Sequence, residues 1–297
     1  MDVISGQNLV LGLVYGGIYG LLAVGIVLVY RGSRVLNFAQ GEVGTIGLYV
    51  AWYLTTDRGW PWIVGAAGAV AAATVIGLLF ERTIVRPMAD ASRIAVAVAT
   101  VGLLLFLLAL GFRLFGESPR TVAAPIAGQG IDIAGVIVSP TQILSLVVTL
   151  AIGIGLAVLL RRTDFGLGVL AAADDPTAVR LVGVPLARVS AFTWGAGAAI
   201  SAIAVLLIEP TIGVFTPGFA SELFVKGLAA ALVGGLTSLP GAFAGGLVVG
   251  LLEVGVTDAT LTSELPGVPT VAVFALILLV LLVRPGGLFG SKPAAVA

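Results

Sequence analysis

From Leu9 to Tyr30 the chain runs through 22 residues without a charged side chain. At about 1.5 Å per residue that is ~33 Å of helix, enough to cross a hydrocarbon core about 30 Å thick. Lipid offers no hydrogen bonds, so a chain inside it must satisfy its own backbone as helix. Comparable stretches recur at 38–54, 62–80, 94–115, 140–160, 189–208 and 268–283. Composition agrees: 59% of the 297 residues are hydrophobic and 10% charged, where a soluble domain carries roughly 25% charged residues. An all-α polytopic membrane protein is predicted, with about seven full spans forming a single transmembrane domain over 1–297.

Much chemistry is excluded. The chain has neither cysteine nor histidine, so thiol nucleophiles and zinc sites of the His/Cys kind are ruled out and no metal set is predicted. No phosphate-binding G-x-x-x-x-G-K-[ST] loop occurs, and the lysines are Lys226 and Lys292. If ATP is used, another chain binds it. Net charge is zero, which gives a nucleic-acid partner no support. No carboxylate pair has a convincing helical spacing within a span, so no catalytic residue is predicted.

Charge orients the spans. Asp2 precedes the first and Arg31 and Arg34 follow it, the reverse of a signal peptide's order. By the positive-inside rule this end faces the cytoplasm. The connections at 81–93 and 161–188 are then also cytoplasmic and both are arginine-bearing. Eleven of fifteen Lys and Arg fall inside, leaving Arg58, Arg113, Arg120 and Lys226. The N-terminus is expected outside and the C-terminus, with Arg284 and Lys292, inside.

Three polar interruptions stand out. Asn37-Phe38-Ala39-Gln40-Gly41-Glu42 lies between apolar runs. Asn37 and Gln40 are spaced like a helix cap and its reciprocal partner, and the following helix barely spans, so it starts below the membrane surface or is tilted. Residues 223–256 would make one helix of about 50 Å, but Gly234-Gly235-Leu236-Thr237-Ser238-Leu239-Pro240-Gly241 breaks it. Gly234 or Gly235 ends one helix, and Ser238 with Pro240 begins another. A re-entrant pair of half-helices fits both the length and the orientation of the last span. Such discontinuities expose backbone polar groups and tend to line a solute path. Asn37, Gln40, Gly41, Glu42, Gly234, Gly235, Thr237, Ser238, Pro240 and Gly241 are therefore the candidate pathway residues. In the third, at about 164–188, Asp174 or Asp175 can cap a two-turn helix with Pro176 first and Gly183 just past its end. Its apolar Val179, Leu181, Val182 and Val184 suggest docking. Gly130 to Val138 alternates as a small hairpin would, and Glu209, Glu222 and Glu253 read as interfacial. The glycine spacings Gly12/Gly16/Gly20 and Gly241/Gly245 are weak signals of helix contact.

In these motifs the chain resembles the H-type membrane subunits of branched-chain amino-acid ABC importers. The resemblance runs nearly end to end: Gly12 to Tyr30 with Leu36 to Glu42, Arg86-Pro87-Met88 with Thr100 to Leu103, Asp175 to Gly183, Leu232 to Ala242, and Arg284 to Gly290. The chain departs from the family where Gln40 replaces a usual His, where Leu167 and Leu170 replace basic residues, and where Thr177 replaces an acidic one. The resemblance implies a type II-like importer permease of a bacterial or archaeal inner membrane. Its ATPase-coupling residues would be Asp174, Asp175, Pro176, Ala178, Leu181 and Gly183. It implies an M-type paralogous permease, two ATP-binding subunits and an extracytoplasmic binding protein as partners, with membrane lipid around it and no cofactor of its own. Relatives also move urea and short amides. A stand-alone secondary transporter or channel is the alternative of another class, and the thin set of buried ionisable groups disfavours it.

Overall fold

The computed structural model describes residues 6–126, 128–133, 135–259 and 267–290; Asp2 and Lys292, used above for orientation, lie outside them. The helices in order are α1 (Gly6–Ser33), α2 (Gln40–Trp52), α3 (Trp62–Phe80), α4 (Arg93–Phe115), α5 (Pro140–Arg162), α6 (Asp164–Asp174), α7 (Pro176–Leu181), α8 (Leu186–Ile212), α9 (Phe219–Gly234), α10 (Leu239–Ala259) and α11 (Val268–Val283). Single π-helical stretches extend α2 to Asp57 and α3 to Val85. Among the described residues, six helices are long and apolar enough to cross a membrane: α1, α3 with its extension, α4, α5, α8 and α10; α11 is shorter and also apolar. The protein is thus a helical polytopic membrane protein. The expected hairpin is present as β1 (Ile131–Ile133) and β2 (Val136–Val138), antiparallel with Asp132 opposite Ile137.

The chain forms two compact units, and neither is contiguous in sequence. One comprises Met1–Val24, Ile126–Gly153 and Val225–Ala297; the other comprises Gly25–Pro125 and Ile154–Phe224. The ranges divide α1, α5 and α9 between the two units.

In the first unit, α1 and α10 run antiparallel with their backbones nearly touching. A Cβ on Gly16 would lie 2.8 Å from the Leu247 Cα, and one on Gly20 would lie 2.8 Å from the Phe243 carbonyl oxygen. Cβ atoms on Gly246 and Gly250 would overlap the α1 backbone at Gly20 and Gly16. The Gly12/Gly16/Gly20 stripe is therefore a real helix contact, of the kind small residues provide where lipid supplies no hydrophobic drive. Gln7 reaches the hairpin, donating to Ile137 O (3.0 Å) and accepting from Ile137 N (3.2 Å).

In the second unit α2 is the central element. It is buried along most of its length and packs against α3 and α8. Gly47 admits the Ala69 carbonyl of α3, and Gly44 admits the Ser201 carbonyl of α8, 2.9 and 3.0 Å from where a Cβ would stand. Tyr49 is fully buried and stacks on Phe115 at 4.0 Å.

Candidate translocation and coupling sites

After α1 ends, the chain turns back into the protein. A Cβ on Gly25 would lie 2.5 Å from Gln40 Nε2, and Gln40 Nε2 donates to Gly197 O (3.4 Å). Gly25 is eight residues from the end of α1 and Gly197 eleven from the start of α8. The first residue of α2 therefore lies roughly 12–16 Å inside the helical layer. α2 thus starts within the helical layer and not at its edge.

The turn that gets it there differs from the capping expected. Ala39, not Asn37, occupies the cap position and makes no side-chain cap bond. Asn37 forms an Asx turn instead: its Oδ1 accepts from Ala39 N (3.1 Å) and its carbonyl from Gln40 N (3.3 Å). The rest of the turn is satisfied from outside. Phe38 N donates to Thr100 Oγ1 of α4 (3.2 Å), and Ser201 Oγ of α8 donates to Gln40 O (2.6 Å). Spacing alone could not show this, because the partners lie far off in sequence.

A second helix starts at the same depth. After α8 the chain descends, and α9 begins against α2. Gly218 N donates to Glu42 Oε2 (3.4 Å), Ser221 Oγ to Glu42 Oε1 (2.9 Å), and Ala220 N to Thr45 Oγ1 (3.3 Å). A helix leaves its first four N–H groups without intrahelical acceptors. Two side chains of α2 supply acceptors here, and one is a carboxylate suited to the positive end of the helix. Gly41 makes the approach possible: a Cβ there would lie 2.5 Å from Ala220 O. Gly41 and Glu42 thus meet the α9 start, while Asn37 closes the turn and Gln40 is held by α8; all four are buried. Sequence reasoning missed Thr45, Thr100, Ser201 and Ser221. The available signal was a hydroxyl inside an apolar run.

The Gly234–Gly241 break is built differently. Gly234 ends α9, Gly235 has φ +103°, and Ser238 Oγ accepts from Gly241 N (3.1 Å) as a cap for α10. The helices return antiparallel, and a Cβ on Gly245 would overlap the Ala230 carbonyl oxygen. The expected reversal is present, although α9 has 16 residues and α10 has 21, longer than half-helices. The chain after α11 covers the break. Leu288 N donates to Val233 O (2.8 Å) and Phe289 N to Gly234 O (3.1 Å), satisfying carbonyls that the end of α9 leaves open. Gly234, Gly235 and Gly241 are buried in this backbone packing, while Thr237 and Pro240 are exposed.

Two of the acidic residues find partners inside the protein. Glu209 is buried and accepts from Val122 N (2.9 Å). Glu253 pairs with Lys226 across α9 and α10 at 2.6 Å.

The coupling segment has its predicted caps and one additional helix, α6. Thr163 starts α6 by accepting from Gly166 N (3.0 Å). Asp175 starts α7 by accepting from Thr177 N (2.8 Å) and Ala178 N (3.0 Å), with Pro176 next in the chain. Gly183 follows at φ +85°. Val179 is buried, whereas Leu181 is 86% and Val182 77% exposed. Two arginines at the end of α1 hold the segment. Arg31 pairs with Asp174 (3.6 Å), and the Arg34 guanidinium donates to the carbonyls of Ala173 and Asp174 at the end of α6. Arg34 adopts φ +56°, a left-handed conformation that costs a non-glycine residue about 1–2 kcal/mol. Here it closes α1 and aims the guanidinium at α6.

Comparison with known proteins gives the class. The model of the family described as branched-chain amino acid transport system / permease component matches residues 8–283. The chain belongs to that family, and it is a transporter subunit of a membrane. It is 32% identical, over 96% of this chain and 95% of the relative, to the high-affinity branched-chain amino acid transport system permease protein LivH of Escherichia coli K12. It is 30% identical over the same shares to BraD of Pseudomonas aeruginosa. A probable branched-chain amino acid transport permease of Methanocaldococcus jannaschii is 24% identical over 84% of this chain.

Proposed function

We propose that the chain is the membrane-spanning permease of an ATP-driven importer that moves branched-chain or other hydrophobic amino acids inward across the plasma membrane. The observation that carries the reading is the near full-length likeness to permeases named for that substrate class. The partners would be a paralogous permease, two ATPase subunits and an extracytoplasmic binding protein. With three helices reversing direction after α8, the charge count keeps the N-terminus outside and the C-terminus inside. That holds whether α9 and α10 cross the membrane or dip into it. The coupling reading rests on α7: its exposed Leu181 and Val182 offer an apolar contact. The hold of Arg31 and Arg34 on α6 gives movement of that segment a route to α1. Glu42, with the capped start of α9, is the candidate element of the solute path.

Two measurements test this. Deleting residues 175–183 should abolish co-purification of the ATPase subunits while the chain still inserts; retained association refutes the coupling role. The cognate binding protein should bind leucine in preference to urea and acetamide, and preference for an amide moves the substrate to that class.

A further inference from the structure

Where α1 and the α3 extension end and α4 and α8 begin, the second unit holds a cleft of about 400 Å³. Four arginines line it, Arg34, Arg86, Arg93 and Arg180, with one carboxylate, Glu81. Glu81 is 1% exposed and already paired with Arg86 at 3.0 Å. Arg34 is engaged with the end of α6. Arg93 and Arg180 have no acceptor among the described residues and are exposed. The cleft therefore holds an uncompensated positive charge that two guanidiniums are free to direct at an anion. Arg93 is moreover the first residue of α4, whose first turn carries no acid, so nothing on that helix offsets the charge at its positive end. The rest of the wall is mixed: Ser33 and Ser190 add hydroxyls, while Val85 and Val96, both buried, and half-buried Met88 form an apolar side.

We propose that this cleft binds the phosphate headgroup of an anionic phospholipid. The arginines recognise phosphate. Lipid rather than free phosphate is favoured by position and by the wall. The cleft lies at the ends of apolar spans, where headgroups begin, and Val85, Met88 and Val96 offer the glycerol and first methylenes an apolar seat. An acidic segment of a protein would match the charge, but its carboxylates bring no methylenes to the apolar side formed by Val85, Met88 and Val96. Arg180 belongs to α7, so a bound headgroup would tie the coupling segment to the membrane surface; the site itself does not depend on the transport reading.

The test uses the purified full-length chain in detergent and native mass spectrometry with dioleoylphosphatidylglycerol or dioleoylphosphatidylcholine. The wild type should retain the anionic lipid preferentially. Arg93→Gln with Arg180→Gln should weaken that retention about thirtyfold, near fivefold per arginine at a membrane surface. The double Lys variant should keep most of it, which separates lost charge from lost fold. Arg82→Gln, on the same segment but outside the cleft, should change little. Unchanged retention in the double Gln variant, or an equal loss in Arg82→Gln, overturns the proposal. So does displacement of the lipid by inorganic phosphate at matching concentration, which assigns the cleft to the free ion. Loss of a co-purifying protein with lipid retention unchanged assigns it to a protein interface and likewise overturns it.

Discussion

The chain breaks its helices in two places, and the two breaks are held by opposite means. Around Asn37–Thr45 the backbone groups freed by the interruption are satisfied by side chains: Thr100, Ser201, Glu42 and Thr45. Around Gly234–Gly241 they are satisfied largely by backbone, with Val233 O and Gly234 O taken by the N–H groups of Leu288 and Phe289. The first arrangement tolerates adjustment, because a hydroxyl or carboxylate can change partner at modest cost. The second has no slack, since its glycines already place backbone against backbone. This separates the candidate pathway residues. The glycines of the second break are explained by packing, whereas Glu42 is a buried carboxylate whose hydrogen-bond partners are a hydroxyl and an N–H.

The largest effect should come from the rigid break. Gly245→Val puts a branched side chain into the Ala230 carbonyl oxygen, and neither backbone can yield without parting α9 from α10. Overpacking of this kind belongs with the most destabilising substitutions, above about 4 kcal/mol. No folded, monodisperse protein should be recovered on size exclusion. Recovery of folded Gly245→Val protein at the wild-type yield would show that the hairpin is not close-packed and would erase the contrast.

At the side-chain-held break, Glu42→Ala should leave the chain folded but weaker. Gly218 N and Ser221 Oγ lose their acceptor in a partly buried site, at about 1–2 kcal/mol each, the lower part of the range for an unsatisfied group. Glu42→Gln keeps an acceptor oxygen and should recover roughly half of that, while losing the charge at the α9 start, which is worth about 0.3–1 kcal/mol. Thermal unfolding in detergent orders the three proteins. Leucine uptake by the assembled transporter then separates roles. A structural carboxylate gives uptake that follows stability, whereas a path-lining one gives Gln a defect larger than its change in melting.

What could be read from the sequence is what local chemistry dictates. Asp175 and Pro176 at the start of α7, Gly235 after α9 and Ser238 at the start of α10 each act within four residues of themselves. Apolar length located the spans for the same reason. The start of α9 was not legible, because its caps come from Glu42 and Thr45, 175 to 179 residues away. Asn37 misled through a spacing that does mark caps, but the turn it sits in is pinned by Thr100 of another helix. The motif Arg284 to Gly290 was visible as a string, while its role in covering Gly235 needs the fold. That Glu209 accepts from Val122 N, 87 residues away, leaves no trace in local pattern.

The finest test lies one turn beyond Glu42. Thr45 Oγ1 accepts from Ala220 N at 3.3 Å. Valine has nearly the same shape and no acceptor. Thr45→Val should cost about 2 kcal/mol, the middle of the range for leaving one buried donor unpaired. Thr45→Ser keeps the oxygen and removes a methyl, and should stay within about 1 kcal/mol, near the value of one buried methyl group. Packing at this site predicts the opposite order, since valine preserves volume and serine does not. Melting temperatures of the pair therefore report directly whether α9 is held by a hydrogen bond from α2 or only by contact. If serine is the weaker variant, Glu42 is the one side chain of α2 left holding the α9 start among these bonds.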